Sequence, residues 1–86
     1  MSPYVAIIHR KPHAGYSVSF PDVPGCVSGG NTVDEAMRAA GKALSLHLIG
    51  LHEAGEATPV ARDFAAVIMS TDRKGALAFI LIQATS

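Results

Sequence analysis

The chain has 86 residues, seven basic against seven acidic, so its formal net charge at neutral pH is zero. That length holds one domain with a thin core, burying roughly 60% of its unfolded surface, so that oligomerisation would be a natural supplement. Nearly half the residues are hydrophobic and 16% are charged, which excludes a disordered chain, and the scattered pairs Arg10–Lys11, Arg38–Lys42 and Arg73–Lys74 form no basic stripe for nucleic acid. Cys26 is the sole cysteine, so neither an internal disulfide nor a cysteine metal site can be built. No basic segment precedes the first apolar run, as a signal peptide would require. The longest apolar run is too short to span a bilayer as a helix. A cytoplasmic protein is expected.

In chain order, Tyr4-Val5-Ala6-Ile7-Ile8-His9 reads as a first strand, and residues 10–15 as a loop punctuated by Pro12 and Gly15. Tyr16, Val18 and Phe20 alternate with Ser17 and Ser19, the period-2 pattern of a strand with one buried face. Val23-Pro24-Gly25-Cys26 fits a type II turn: Pro24 fixes φ at the second position and Gly25 supplies positive φ at the third. A third short strand is expected at residues 26–28, ended by Gly29-Gly30.

The strongest local signal is a helix start. Thr32 is an N-cap, Glu35 completes a capping box, and Asp34 and Glu35 lie against the positive end of the helix dipole. Val33, Ala36, Met37, Ala40, Ala43, Leu44, Leu48 and Leu51 then recur at helical spacing. Asp34 and Arg38 can pair four residues apart. The helix is expected to run to about residue 54 and stop at Gly55. Gly41 and its neighbouring alanines suit close packing on a sheet. Residues 62–69 are ambiguous: Val67-Ile68-Met69 favours a strand, whereas Asp63 as a cap favours a short helix, the preferred reading. Asp72-Arg73-Lys74-Gly75 is a turn, and Ala76-Leu77-Ala78-Phe79-Ile80-Leu81-Ile82 is the last strand. The order β-β-β-α-(short α)-β gives an α+β domain, a small, mainly antiparallel sheet with the long helix on one face.

The last strand is apolar at every position, whereas a sheet with one wet face should show alternation. Little chain remains to cover its second face. The expectation is that another chain does so, a second copy being the simplest, with Phe79 and Leu81 as candidate interface residues.

The residues offer little chemistry. His47 and His52 are five apart on the helix and face different ways, and His52-Glu53 lacks the second histidine of a zinc-protease motif. Cys26 has no adjacent base or cation to make it a thiolate. Asp22 and Glu35 are the only acids near the Pro-Gly turn, too few for a two-metal nuclease. No catalytic, metal or cofactor residue is expected.

Phe20-Pro21-Asp22-Val23-Pro24-Gly25-Cys26, preceded by a tyrosine-led strand and followed by Gly30-Asn31-Thr32-Val33-Asp34-Glu35-Ala36, resembles the signature of the HicB-like antitoxins. Asn31 stands where that family commonly has Asp. The resemblance is close over residues 4–60 and extends through the rest by overall pattern. It implies a degenerate ribonuclease H-like fold without catalytic acids. It further implies an antitoxin of a type II toxin–antitoxin system, which neutralises a HicA-type mRNA-cleaving toxin by occluding it and forms dimers or tetramers. Members usually carry a C-terminal DNA-binding domain; residues 1–86 read as a single HicB-like domain without one, so DNA binding is not expected of them. The alternatives are a weak nuclease on the same scaffold and an orphan oligomeric interaction module. Phe20, Pro21, Asp22, Pro24, Gly25, Thr32, Glu35 and Ala36 read as a mark of fold and family rather than an active site.

Overall fold

A computed structural model describes residues 3–13 and 15–84. The elements are β1 (Tyr4–Arg10), β2 (Tyr16–Ser19), β3 (Val27–Gly30), α1 (Val33–Glu53), α2 (Phe64–Ser70) and β4 (Ala76–Ile82). The strands form one antiparallel sheet in the order β3-β2-β1-β4, so the first and last strands of the chain are neighbours and β4 lies at an edge.

Alternation sorts the residues of β1 between two faces. Tyr4, Ala6 and Ile8 point to one side, where they join Val18, Ile82 and the Ala36, Ala40 and Leu44 stripe of α1 in the main core. Val33, Met37, Ala43 and Leu48 pack against that core, as their helical spacing predicts. Val5 and Ile7 point the other way and lie outside this cluster, yet they are only 1% and 4% exposed. Val67 of α2 is likewise fully buried and outside the α1 cluster. The second face is therefore partly closed by the chain itself.

Local chemistry sets the boundaries. Thr32 caps α1, its hydroxyl accepting from the Glu35 N–H at 3.1 Å. The Glu35 carboxylate accepts from the N–H of Asn31 at 3.0 Å, one residue earlier than a standard capping box, and so fixes the approach to the helix as well as its first turn. Arg38 and Asp34 pair at 3.0 Å on the exposed side. The helix ends at Glu53, with Ala54 as its C-cap and Gly55 following at φ +75°. Asp63 caps α2 by accepting from the Ala66 N–H at 2.7 Å, which resolves residues 62–69 in favour of a short helix.

One expectation is corrected. Gly29-Gly30 does not end the third strand; β3 starts at Val27 and runs through Gly30, which pairs with Tyr16. The glycines are there for space. A Cβ on Gly30 would lie 2.7 Å from the Ala36 nitrogen and 2.8 Å from the Glu35 Cβ, and one on Gly29 would lie 2.8 Å from the Tyr16 carbonyl oxygen. Only bare backbone lets the start of α1 sit this close to the strand.

Candidate interaction surface

The segment from Phe20 to Cys26 consists of two successive turns. The Val23 N–H donates to the Phe20 carbonyl and the Cys26 N–H to the Val23 carbonyl, each at 3.1 Å. Gly25 has φ +87°, as a type II turn over residues 23–26 requires. Phe20, Val23 and Cys26 are buried, Pro21 is half-buried, and Pro24 and Gly25 are exposed at the tip. The turn thus drives three side chains into the core while its proline and glycine reverse the chain.

Asp22 is the one acid in this segment, and its carboxylate is taken. Oδ2 accepts from the Arg62 backbone N–H at 2.9 Å and Oδ1 from the Arg62 Nε–H at 2.6 Å. The Arg62 guanidinium also donates to the Ser70 hydroxyl at 3.0 Å. The side chain of Asp22 is only 6% exposed, so this pair is screened less than a surface ion pair. The Tyr4 hydroxyl donates to the Pro59 carbonyl. Together these bonds strap the 54–63 connection to β1 and to the turn after β2. Burial, and then the negative charge of Asp22, raise the Tyr4 phenol above its ordinary value.

Glu35 is committed to the helix start and Ala36 is fully buried beneath it. Asp22, Gly25, Thr32 and Glu35 of the motif thus each make a turn, a cap or a cross-link of the fold. Among the described residues no group of three or more His, Cys, Asp or Glu gathers as a metal site would require. His9 sets Nδ1 at 3.2 Å from the Gly75 carbonyl, and His13 and His52 are exposed and apart. Cys26 is buried, which pushes its thiol up rather than toward thiolate. None of the described helices is long and apolar enough to cross a membrane.

Exposed apolar side chains lie in several places, Ile49, Val60, Phe64 and Met69 among them, and two further places involve the turn motif and the last strand. One is a shallow groove between the turn and α1, lined by Gly25, Cys26, Val27, Ala43, Leu46 and His47, where Val27 and Leu46 are largely exposed. The other is β4. Ile80 and Ile82 turn toward α1, whereas Leu77 and Leu81 are 55% and 53% exposed and Phe79 is half-buried against Ile7. Of the two residues singled out in the sequence, Leu81 is the more open, and Leu77 belongs beside it. Arg62, Val27 and Leu46 carried no sequence signal: their neighbours are set by the tertiary fold.

The sequence matches, over residues 4–85, the family described as the HicB-like antitoxin of bacterial toxin–antitoxin systems. It is 50% identical over 50 residues to a 14.9 kDa protein from the rep-hol intergenic region of Haemophilus phage HP1 (strain HP1c1), a match covering 58% of this chain and 38% of the phage protein. In structure it is similar to the N-terminal domain of the Burkholderia pseudomallei antitoxin HicB, with a TM-score of 0.82 and 25% identity over 98% of this chain and 99% of that one. Against the longer HicB chain of the same organism the TM-score is 0.79 at 26% identity, covering 96% of this chain and 63% of that one. A chain of the HicA3 and HicB3 toxin–antitoxin complex matches with a TM-score of 0.81 and 25% identity, over 98% of this chain and 99% of its own length. The chain spans well under half of the phage relative and under two thirds of the longer HicB. With the family pattern matched along nearly its whole length, and the fold of a HicB N-terminal domain shared over almost all of it, this chain belongs to the HicB-like antitoxin family.

Proposed function

We propose that this chain is the antitoxin of a type II toxin–antitoxin pair, binding a HicA-type toxin and neutralising it by covering the toxin's RNA-cleaving site. The observation that carries this reading is the similarity, over nearly the full length of both chains, to a chain of the HicA3 and HicB3 complex, together with the family match. The role is that of a protein–protein interaction module acting in the cytoplasm, with no direct contact to nucleic acid from these residues. It is non-enzymatic: the acids of the motif, Asp22 and Glu35, are engaged by backbone and by Arg62. The chain works as a homo-oligomer, a dimer or a tetramer.

Co-expression with a HicA-type toxin tests the reading. Growth arrested by the toxin is restored when this chain is co-expressed, and the two purify together. Failure of both rescue and co-purification would leave an oligomeric module without a toxin. RNA cleavage by the purified chain, lost in a folded Asp22→Ala variant, would make it a nuclease instead.

A further inference from the structure

The two faces of β1 are buried by different parts of the chain. Tyr4, Ala6 and Ile8 lie in the core under α1, and Phe20, Val23 and Cys26 of the turn after β2 belong to that same core. Val5 and Ile7 lie outside it and are just as buried. Residues 10–15 and 71–75 are at the far end of the strand, beside His9 and Arg10. The described segments left to shield Val5 and Ile7 are the 54–63 connection and α2. α2 has seven residues, too few to hold a helix alone. Val67 is its one buried residue, and Phe64, Ala65, Ala66, Met69 and Ser70 are exposed. One side chain ties it down: Arg62 bonds Asp22 through its backbone N–H and its Nε, and donates from Nη1 to the hydroxyl of Ser70, the last residue of α2. On either side the chain is anchored to β1, where the Tyr4 hydroxyl donates to the Pro59 carbonyl and His9 Nδ1 lies 3.2 Å from the Gly75 carbonyl.

We propose that residues 62–74 form a hinged flap over the face of the sheet away from α1, opening as a unit while the sheet and α1 stay folded, with Arg62 as its latch. Opening leaves the core under α1 intact, because none of the residues in or against that core lies in the flap. What it gives up is the short interior of Val5, Ile7 and Val67 and the bonds made by Arg62. Segments held by few buried side chains and by polar bonds at the surface open at a lower free energy than the whole domain. The anchored residues Pro59 and Gly75 bound the moving part, and Gly75, at φ +82°, gives its downstream end a flexible pivot. The open form bares Val5 and Ile7 beside Leu81 and Phe79, their partners in β4. The flap thus gates the apolar second face of the sheet. It is a property of the chain alone and holds whether or not the toxin reading does.

Native-state hydrogen exchange of the purified wild-type chain, Asp22→Asn and Thr32→Ala tests it, residue by residue and at low concentrations of urea. In the wild type the amides of residues 67–70 are protected, but they exchange faster than the slowest amides of β1 and α1 and with a weaker dependence on urea, a readout that needs no variant. Asp22→Asn removes the charge that Arg62 grips and speeds exchange at residues 67–70 by about tenfold or more. Thr32→Ala weakens the start of α1, which stays formed when the flap opens. It therefore speeds the slowest amides of β1 and α1 by about fivefold and leaves residues 67–70 unchanged. Exchange at residues 67–70 that matches the slowest amides of the wild type, or that rises with theirs in Thr32→Ala, means that α2 unfolds only with the domain and overturns the flap. Unprotected amides at residues 67–70 in the wild type mean that no closed state exists and overturn it as well. Exchange there that Asp22→Asn leaves unchanged overturns Arg62 as the latch.

Discussion

Asp22 and Arg62 are forty residues apart in sequence and joined twice in space, by the backbone N–H at 2.9 Å and by Nε at 2.6 Å. This clamp fixes the turn after β2 to the residue just before the Asp63 cap of α2. Asp22→Asn is expected to cost about 1.5–3 kcal/mol, the range for hydrogen bonds to charged groups, or a fall in Tm of roughly 10 °C for a domain of this size. Arg62→Ala costs a comparable amount, and the double variant costs less than the sum, because each single change already breaks the bond the two residues share. Thermal denaturation of the four proteins checks the coupling.

The space around the glycines gives opposite signs at two positions. Gly30→Ala places a Cβ within 2.8 Å of the first turn of α1, and it must push β3 away from the helix; a loss of about 1–3 kcal/mol follows from overpacking. Gly50, inside α1, is the reverse case, because a Cβ added there would meet nothing within 4 Å. Gly50→Ala is expected to stabilise by about 0.5–1 kcal/mol through helix propensity and a less flexible unfolded chain. Urea titration of both variants separates the two effects.

The helix start gives a cleaner test of capping. Thr32→Ala removes the acceptor for the Glu35 N–H and costs about 1 kcal/mol, while Thr32→Ser retains the oxygen and stays near wild type. Thermal denaturation of the two variants beside the wild type shows the difference.

Alkaline pH should weaken the fold from within. Burial raises Tyr4 above 10.0 and Cys26 above 9.0. Both groups are therefore held neutral in the folded chain at pH values where the unfolded chain ionises them. Their contribution is fully present below pH 9 and declines as pH rises through the unfolded values toward the folded ones. Urea midpoints measured from about pH 7 to about 10.5 fall at the alkaline end, and Tyr4→Phe flattens the part of the fall above about pH 10. In the same proteins Cys26 resists thiol reagents until the chain is unfolded.

Much of the fold was legible because its signals are local. Pro24-Gly25, the Thr32 cap, the Gly55 stop and the Asp63 cap each act within four residues, and each lies where its chemistry predicts. The β3 boundary was misread because Gly29-Gly30 carries two meanings: in sequence a glycine pair ends a strand, whereas here Gly29 makes room for the Tyr16 carbonyl and Gly30 for Glu35 and Ala36. The Asp22–Arg62 clamp and the burial of Val5 and Ile7 on the face away from α1 were invisible, since they depend on tertiary packing. For the site, the sequence offered an unbroken apolar strand, and the structure adds what no pattern contains: that β4 is an edge, with Leu77 and Leu81 open.

The most direct test is a titration of purified chain into a purified HicA-type toxin, with cleavage of a labelled RNA as the readout. The account predicts that cleavage falls to background at a fixed, small-integer ratio of the two proteins, with a stable complex recovered at that ratio. Cleavage undiminished at a large excess of this chain, with no complex recovered, would contradict it.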